Sequence, residues 1–112
     1  IGAALEVHKT LGPGFLESVY ESALQLELQE RGLRAESQSR VPIWYRGALV
    51  GEHVLDLLVE GKLVVELKAV EALGPVHTAQ VISYLRATGL PLALLINFNS
   101  VLLKDGIRRI AN

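Results

Sequence analysis

Residues 55–70 read LDLLVEGKLVVELKAV, and Asp56, Glu66 and Lys68 stand inside this otherwise apolar run. Charges within strands are costly to bury unless they are paired or bound to an ion. Two neighbouring carboxylates repel, so one stays protonated unless a cation intervenes. Oxygen ligands of this kind suit Mg2+ or Mn2+, which keep several waters and bind substrate phosphate. A lysine beside them can stabilise phosphate charge or orient an attacking water, which is the equipment of metal-assisted phosphodiester hydrolysis. The same short pattern also arises as a surface ion pair, Glu66 with Lys68, next to a satisfied Asp56.

Whether the three side chains meet depends on the turn. Side chains alternate across a strand, so Glu66 and Lys68 share a face with Val64. A two-residue turn at Glu60-Gly61 sets Asp56 opposite Val65, on the wrong face. A three-residue loop from Val59 to Gly61 sets Asp56 opposite Val64, diagonal to Glu66, with Gly61 in the left-handed position that glycine favours. A loop from Glu60 to Lys62 pairs Asp56 directly with Glu66. Either three-residue loop gathers Asp56, Glu66 and Lys68, because diagonal and direct neighbours lie ~5–8 Å apart.

A second group lies on the helix expected from Pro75 to about Thr88. In HTAQVISYL, His77, Gln80 and Tyr84 form one stripe, while Val81 and Leu85 build an apolar face beside it. A glutamine with a tyrosine one turn later can bond a substrate backbone or hold a metal-bound water. Alone, the pair reads equally as an exposed amide and a phenol capping the core. His8 and His53 are scattered and read as structural.

The elements that must position these residues follow from periodicity and breakers. Residues 3–11 read as the end of a first helix, closed by Gly12 and Pro13. Apolar residues recur at helical spacing from Phe15 to Arg31, with Gly32 as the stop, and Glu17, Tyr20 and Glu21 share a neighbouring face. Strands are expected at 40–46, 50–59 and 63–70, with Pro42 marking an edge or a strand start. Gly89 and Pro91 end the later helix. The run LALLIN at 92–97 reads as a buried strand, and Asp105-Gly106 as a hairpin turn into a basic tail. The order is α-α-β-β-β-α-β with a short β tail.

Composition narrows the classes. The 112 residues fit one domain, residues 1–112, and half of them are apolar, which argues against disorder. No cysteine is present, which excludes thiolate zinc sites and a cysteine nucleophile and fits a reducing, cytoplasmic compartment. No apolar run is long enough to cross a membrane and no signal peptide is visible, so no membrane partner is expected. The chain starts at Ile1 and has no methionine, which reads as a trimmed start with a segment missing before it.

A net charge of −1 does not describe a basic nucleic-acid clamp. The charge is uneven, however. Glu52, Asp56, Glu60, Glu66 and Glu71 against Lys62 and Lys68 leave −3 over residues 52–71. Lys104, Arg108 and Arg109 against Asp105 leave +2 over residues 101–112. An acidic strip holding a lysine suggests cation binding, with other segments left to meet a polyanion.

Taken together, Asp56, Glu66-Leu67-Lys68 and Gln80-Val81-Ile82-Ser83-Tyr84 after an α-β lead-in resemble the PD-(D/E)XK nuclease superfamily, especially its RecB-like branch with a Q-x-x-x-Y helix. GFLESVY at 14–20, LVVELKAV, HTAQVISYL and LLINFN…LLKDGIRRI look like the GxxExxY proteins within it. The resemblance implies an α/β (α+β) domain with a restriction-endonuclease-like αβββαβ core, a central mixed sheet flanked by helices. It implies a Mg2+- or Mn2+-dependent nuclease acting on nucleic acid, with DNA favoured over RNA and with RNA or branched DNA left open as rival substrates. By that likeness Asp56 and Glu66 hold the metal with Glu17 as a further ligand. Lys68 assists the water, Gln80 belongs with the catalytic set, and Tyr84 and His77 position substrate. Leu55 replaces the superfamily's proline before Asp56. A non-catalytic binding or scaffold protein that keeps the fold is the alternative. A homodimer fits branched substrates and the high apolar fraction, and a protein partner supplying basic surface fits the modest charge.

Overall fold

Gly12, with φ of 73°, ends helix α1 (Gly2–Leu11), and α2 (Glu17–Glu30) starts after a short loop. The computed structural model describes residues 1–112. Strands β1 (Ala35–Tyr45), β2 (Ala48–Val59) and β3 (Leu63–Lys68) follow, then α3 (Pro75–Thr88), β4 (Leu92–Asn97), a 3-10 turn (Leu103–Gly106) and β5 (Ile107–Ala111). The five strands form one sheet in the order β1-β2-β3-β4-β5, with β3 and β4 parallel and all other pairs antiparallel. This is the expected mixed sheet flanked by helices.

The parallel pair is joined by α3, as a same-sheet crossover requires. Side chains alternate across the strands. Leu57, Val65, Leu67, Leu94 and Ile96 therefore pack with α1 and α2, while Val64, Ala93 and Leu95 pack with Val81, Tyr84 and Leu85 of α3. β3 and β4 carry apolar residues on both faces because helices cover both. Pro42 lies on the edge strand β1, where its missing N–H costs no ladder bond.

Three expectations need correction. β1 begins at Ala35, ahead of the apolar run at 40–46, because its polar first half pairs along β2 from Ala35 opposite Val59. β3 ends at Lys68, not at residue 70. Asp105-Gly106 is not a hairpin turn but the end of a 3-10 turn within a longer β4–β5 connection.

Two turns set the register. Arg46 and Gly47 both have positive φ (50° and 79°), the two-residue turn whose twist matches a hairpin, and Tyr45 pairs with Ala48 across it. Between β2 and β3 the loop is Glu60 to Lys62, with Val59 opposite Leu63. Glu60, at φ 55°, is held there by two bonds with Arg34: its N–H donates to Arg34 O at 2.8 Å and its Oε1 accepts Arg34 N–H at 2.8 Å. Of the turns open from the sequence, this one sets Asp56 across from Glu66.

The β1–β2 ribbon turns over where it passes the site. Ala35 faces α1 and α2, yet Val41, of the same parity, packs on the α3 side; Leu57 and Leu55 differ in the same way. Both switches fall at one level, where the register skips Gln38 and Asp56 and Gln38 takes φ of 54°. β2 and β3 pair only from Leu57/Val65 to Val59/Leu63. Beyond that they part, leaving a fork with Asp56 on one tine and Glu66 on the other.

Candidate active site

Glu66 is 3% exposed, and its Oε1 has no hydrogen-bond partner. Its Oε2 accepts a long bond from the Tyr84 hydroxyl at 3.4 Å and lies 3.5 Å from Lys68 Nζ. Burial pushes the Glu66 carboxyl up from 4.5 to about 8, and the Asp56 carboxyl against it pushes the same way, while Lys68 opposes both. A buried acid with one orphaned oxygen is costly. A cation on that oxygen would remove the cost.

Asp56 is half-buried at the fork. Its Oδ2 accepts the Leu67 N–H at 2.9 Å, a donor that the parting of the strands has freed from the ladder. This bond holds the carboxylate between the tines and against Glu66. Lys68 follows two residues after Glu66 on the same side of β3, with its side chain mostly covered. The structure thus brings Asp56, Glu66 and Lys68 together. Asp56 reaches the other two across a gap between strands, not along a flat sheet face.

Tyr84 is buried on α3, and Gln80 stands one turn earlier on the same helix. Burial first, then the charges of Glu66 and Asp56, hold the Tyr84 phenol above its ordinary range. His77 uses Nδ1 to accept the Gly74 N–H at 2.8 Å, capping the start of α3. Its Nε2 makes no hydrogen bond within the domain.

Glu17 lies exposed in the first turn of α2 and accepts the Ala69 N–H at 3.2 Å, just past Lys68. The acid that reaches Asp56 comes one turn later. Glu21 sits against the Asp56 carboxyl and takes bonds from Ser37 Oγ at 3.1 Å and Gln38 Nε2 at 2.6 Å. Burial raises the Glu21 carboxyl, these two bonds lower it, and Asp56 raises it further. Sequence reasoning placed Glu21 on the right helix face but gave it no role. The signal was its spacing, four residues after Glu17.

The G-x-x-E-x-x-Y spacing acquires a physical reading here. Tyr20 is fully buried and stacks on Phe98 at 4.6 Å. Its hydroxyl donates to Gly12 O at 2.6 Å and accepts the Phe15 N–H at 3.1 Å, fixing the loop that starts α2. Asn97 was also missed. It is buried beside Lys68 in the β3–β4 register, accepts the Val70 N–H at 3.1 Å and donates to Val70 O at 2.9 Å. It thereby clamps the chain just beyond Lys68.

Asp56 lies close to both Glu21 and Glu66. No group of three or more His, Asp or Glu side chains closes tightly enough to hold an ion unaided. The donor set nevertheless fits a hard divalent cation that keeps its waters: all-oxygen, anionic, with one buried oxygen unpaired.

A parallel-paired core strand carrying the E-x-K pair, an acid on the adjacent strand, and helices on both faces define a nuclease-type α/β domain. A family model described as the PD-(D/E)XK nuclease superfamily matches residues 1–110. The chain belongs to that superfamily. No curated protein and no solved structure matches it.

Proposed function

We propose that this domain hydrolyses phosphodiester bonds of nucleic acid, DNA in preference to RNA, with Mg2+ or Mn2+ held by Asp56 and Glu66. The observation that carries this reading is the buried Glu66 carboxyl, its Oε1 orphaned, against Asp56 across the fork and with Lys68 beside it. When bound, the cation supplies charge stabilisation to the phosphate and a more acidic water. Glu66 gives up its proton to take part, since its carboxyl is otherwise protonated up to about pH 8. Asp56 keeps its place through the Leu67 N–H. Tyr84, with Gln80 one turn before it on α3, fixes the orientation of the Glu66 carboxyl. Lys68, 3.5 Å from Glu66, stands where it can orient a nucleophilic water or meet a phosphate oxygen. Glu21 adds a further carboxyl beside Asp56, and Glu17 anchors the end of β3; a water-mediated ligand role for Glu17 belongs to this proposal. His77 Nε2 serves as a substrate contact.

The test pairs binding with turnover. Calorimetry with Mn2+ is expected to give a binding isotherm for the wild type that disappears in Asp56→Asn. Lys68→Ala is expected to bind Mn2+ but to lose cleavage of DNA. Equal cleavage by Lys68→Ala and wild type removes the assigned role. A fold kept for scaffolding is the second reading, favoured by the lack of a closed three-ligand cluster. Mn2+ binding absent from both proteins, together with no cleavage, would select it.

A further inference from the structure

Beyond Leu55 the β1–β2 ribbon leaves the rest of the sheet and continues as a two-stranded arm. One side of the arm faces α3 across a groove of about 410 Å³, lined by Pro42, Ile43, Trp44, His53, Ser83, Arg86 and Ala87. That volume lies within the ~300–1,000 Å³ usual for small-ligand sites. Trp44 is 62% exposed at its edge. An indole left so far in water on a structured arm is a platform lacking its partner. No carboxylate lines the groove. Arg86 on its wall and Arg46 at the arm's tip form no salt bridge, and Arg46 lies over the Tyr45 ring at 5.3 Å. Arg40, behind them, is held by Glu52.

The groove adjoins the acidic fork. His53, on its floor, bonds Ser83 at 3.1 Å and packs edge-on against Tyr84 with ring centroids 4.6 Å apart; Tyr84 in turn reaches Glu66. A flat aromatic surface beside unpaired guanidinium groups, with no acid between them, matches a base stacked on an indole and its phosphate met by arginine. Duplex DNA keeps its base faces stacked inside and cannot use such a surface.

Resting on the nuclease reading above, we infer that the groove between the β1–β2 arm and α3 binds an unpaired nucleotide, so that the substrate carries a single-stranded segment next to the bond cut. Trp44 supplies the stacking face and Arg86 the phosphate contact. Arg46 extends the basic track along the arm.

Trp44 is the sole tryptophan, so the chain carries its own probe. The whole domain, with chelator present to prevent turnover, is titrated with a short oligothymidylate and with a blunt duplex of equal length. Saturable quenching by the oligothymidylate, and much weaker quenching by the duplex, is expected. Measured by anisotropy of the labelled oligothymidylate, Trp44→Ala should weaken binding roughly fivefold or more. Arg86→Ala should weaken it and flatten its salt dependence. Both residues are exposed, so the fold should survive, which circular dichroism checks. No quenching, or equal quenching by duplex, overturns the inference. So does tryptophan emission that shifts with protein concentration alone alongside a dimer in sedimentation, because the arm then docks a second copy. Cleavage in Mn2+ without quenching removes the groove and leaves the nuclease reading; quenching without cleavage does the reverse.

Discussion

Replacing Glu66 by glutamine keeps the shape of the side chain and removes its ionisation. In the wild type the carboxyl is raised from 4.5 to about 8, first by burial and then by Asp56. The folded state therefore holds a proton that the unfolded state releases. Between those two pH values the folded form binds more protons, so stability falls as pH rises. The contribution is fully present below about pH 4.5 and is lost once pH has passed about 8. At ~1.4 kcal/mol per pH unit, that interval amounts to ~5 kcal/mol, a large share of a small domain's total stability. Glu66→Gln has no such slope. Urea unfolding with chelator present, followed by far-UV circular dichroism from pH 5 to 9 (Trp44 is too exposed to report folding well), measures the difference. The variant should be the more stable protein at pH 9, by several kcal/mol, and its advantage should shrink steadily toward pH 5. Parallel pH profiles for the two proteins would refute the assignment of a buried, protonated Glu66. Added Mn2+ should flatten the wild-type profile and leave that of the variant unchanged.

Other perturbations test the scaffold around the site. Tyr20→Phe strands Gly12 O and the Phe15 N–H and should cost ~1–3 kcal/mol in urea unfolding. Asn97→Leu strands the Val70 N–H and the Asn99 N–H, leaves Val70 O only the longer bond from Asn99 Nδ2 at 3.3 Å, and should cost ~1–3 kcal/mol. Hydrogen exchange should then quicken first at Val70 and Asn99. Gly106→Ala would drive its Cβ into Ser100 Oγ and to 2.7 Å from Asn97 O, a cost of ~1–3 kcal/mol. Ser100→Ala in the same chain should recover only part of the lost melting temperature, since the Asn97 carbonyl remains.

Much of this architecture is legible in the residues because local signals and tertiary demands agree. Pro75 and Gly89 bracket α3 as read from the sequence, and the apolar run at 92–97 is β4. Parity places Glu66 and Lys68 together without any knowledge of the fold. The Asp56 register could not be chosen in advance, because what favours the Glu60–Lys62 loop is a pair of bonds to Arg34, distant in sequence. The first half of β1 is hidden for a similar reason. AESQSR has no apolar alternation, and its place is set by pairing to β2 and by Glu21 accepting from Ser37 and Gln38. Glu21 and Asn97 stayed out of sight because a carboxylate on a helix and an amide ending a strand carry no pattern of their own. Their meaning comes from what the sheet brings beside them.

The fork also orders the way the chain folds. The β1–β2 hairpin closes through a two-residue turn at Arg46-Gly47, and such hairpins form in ~1–10 μs. Asp56 is carried on that early piece. Glu66 rides on β3, whose parallel neighbour β4 arrives only after the α3 crossover, and such distant pairings close slowly. The demand that Glu66 take up a proton beside Asp56 is therefore met late. Acidifying the solution supplies that proton beforehand and removes this obstacle. The folding rate of the metal-free chain then becomes a clock that reads the protonation of Glu66.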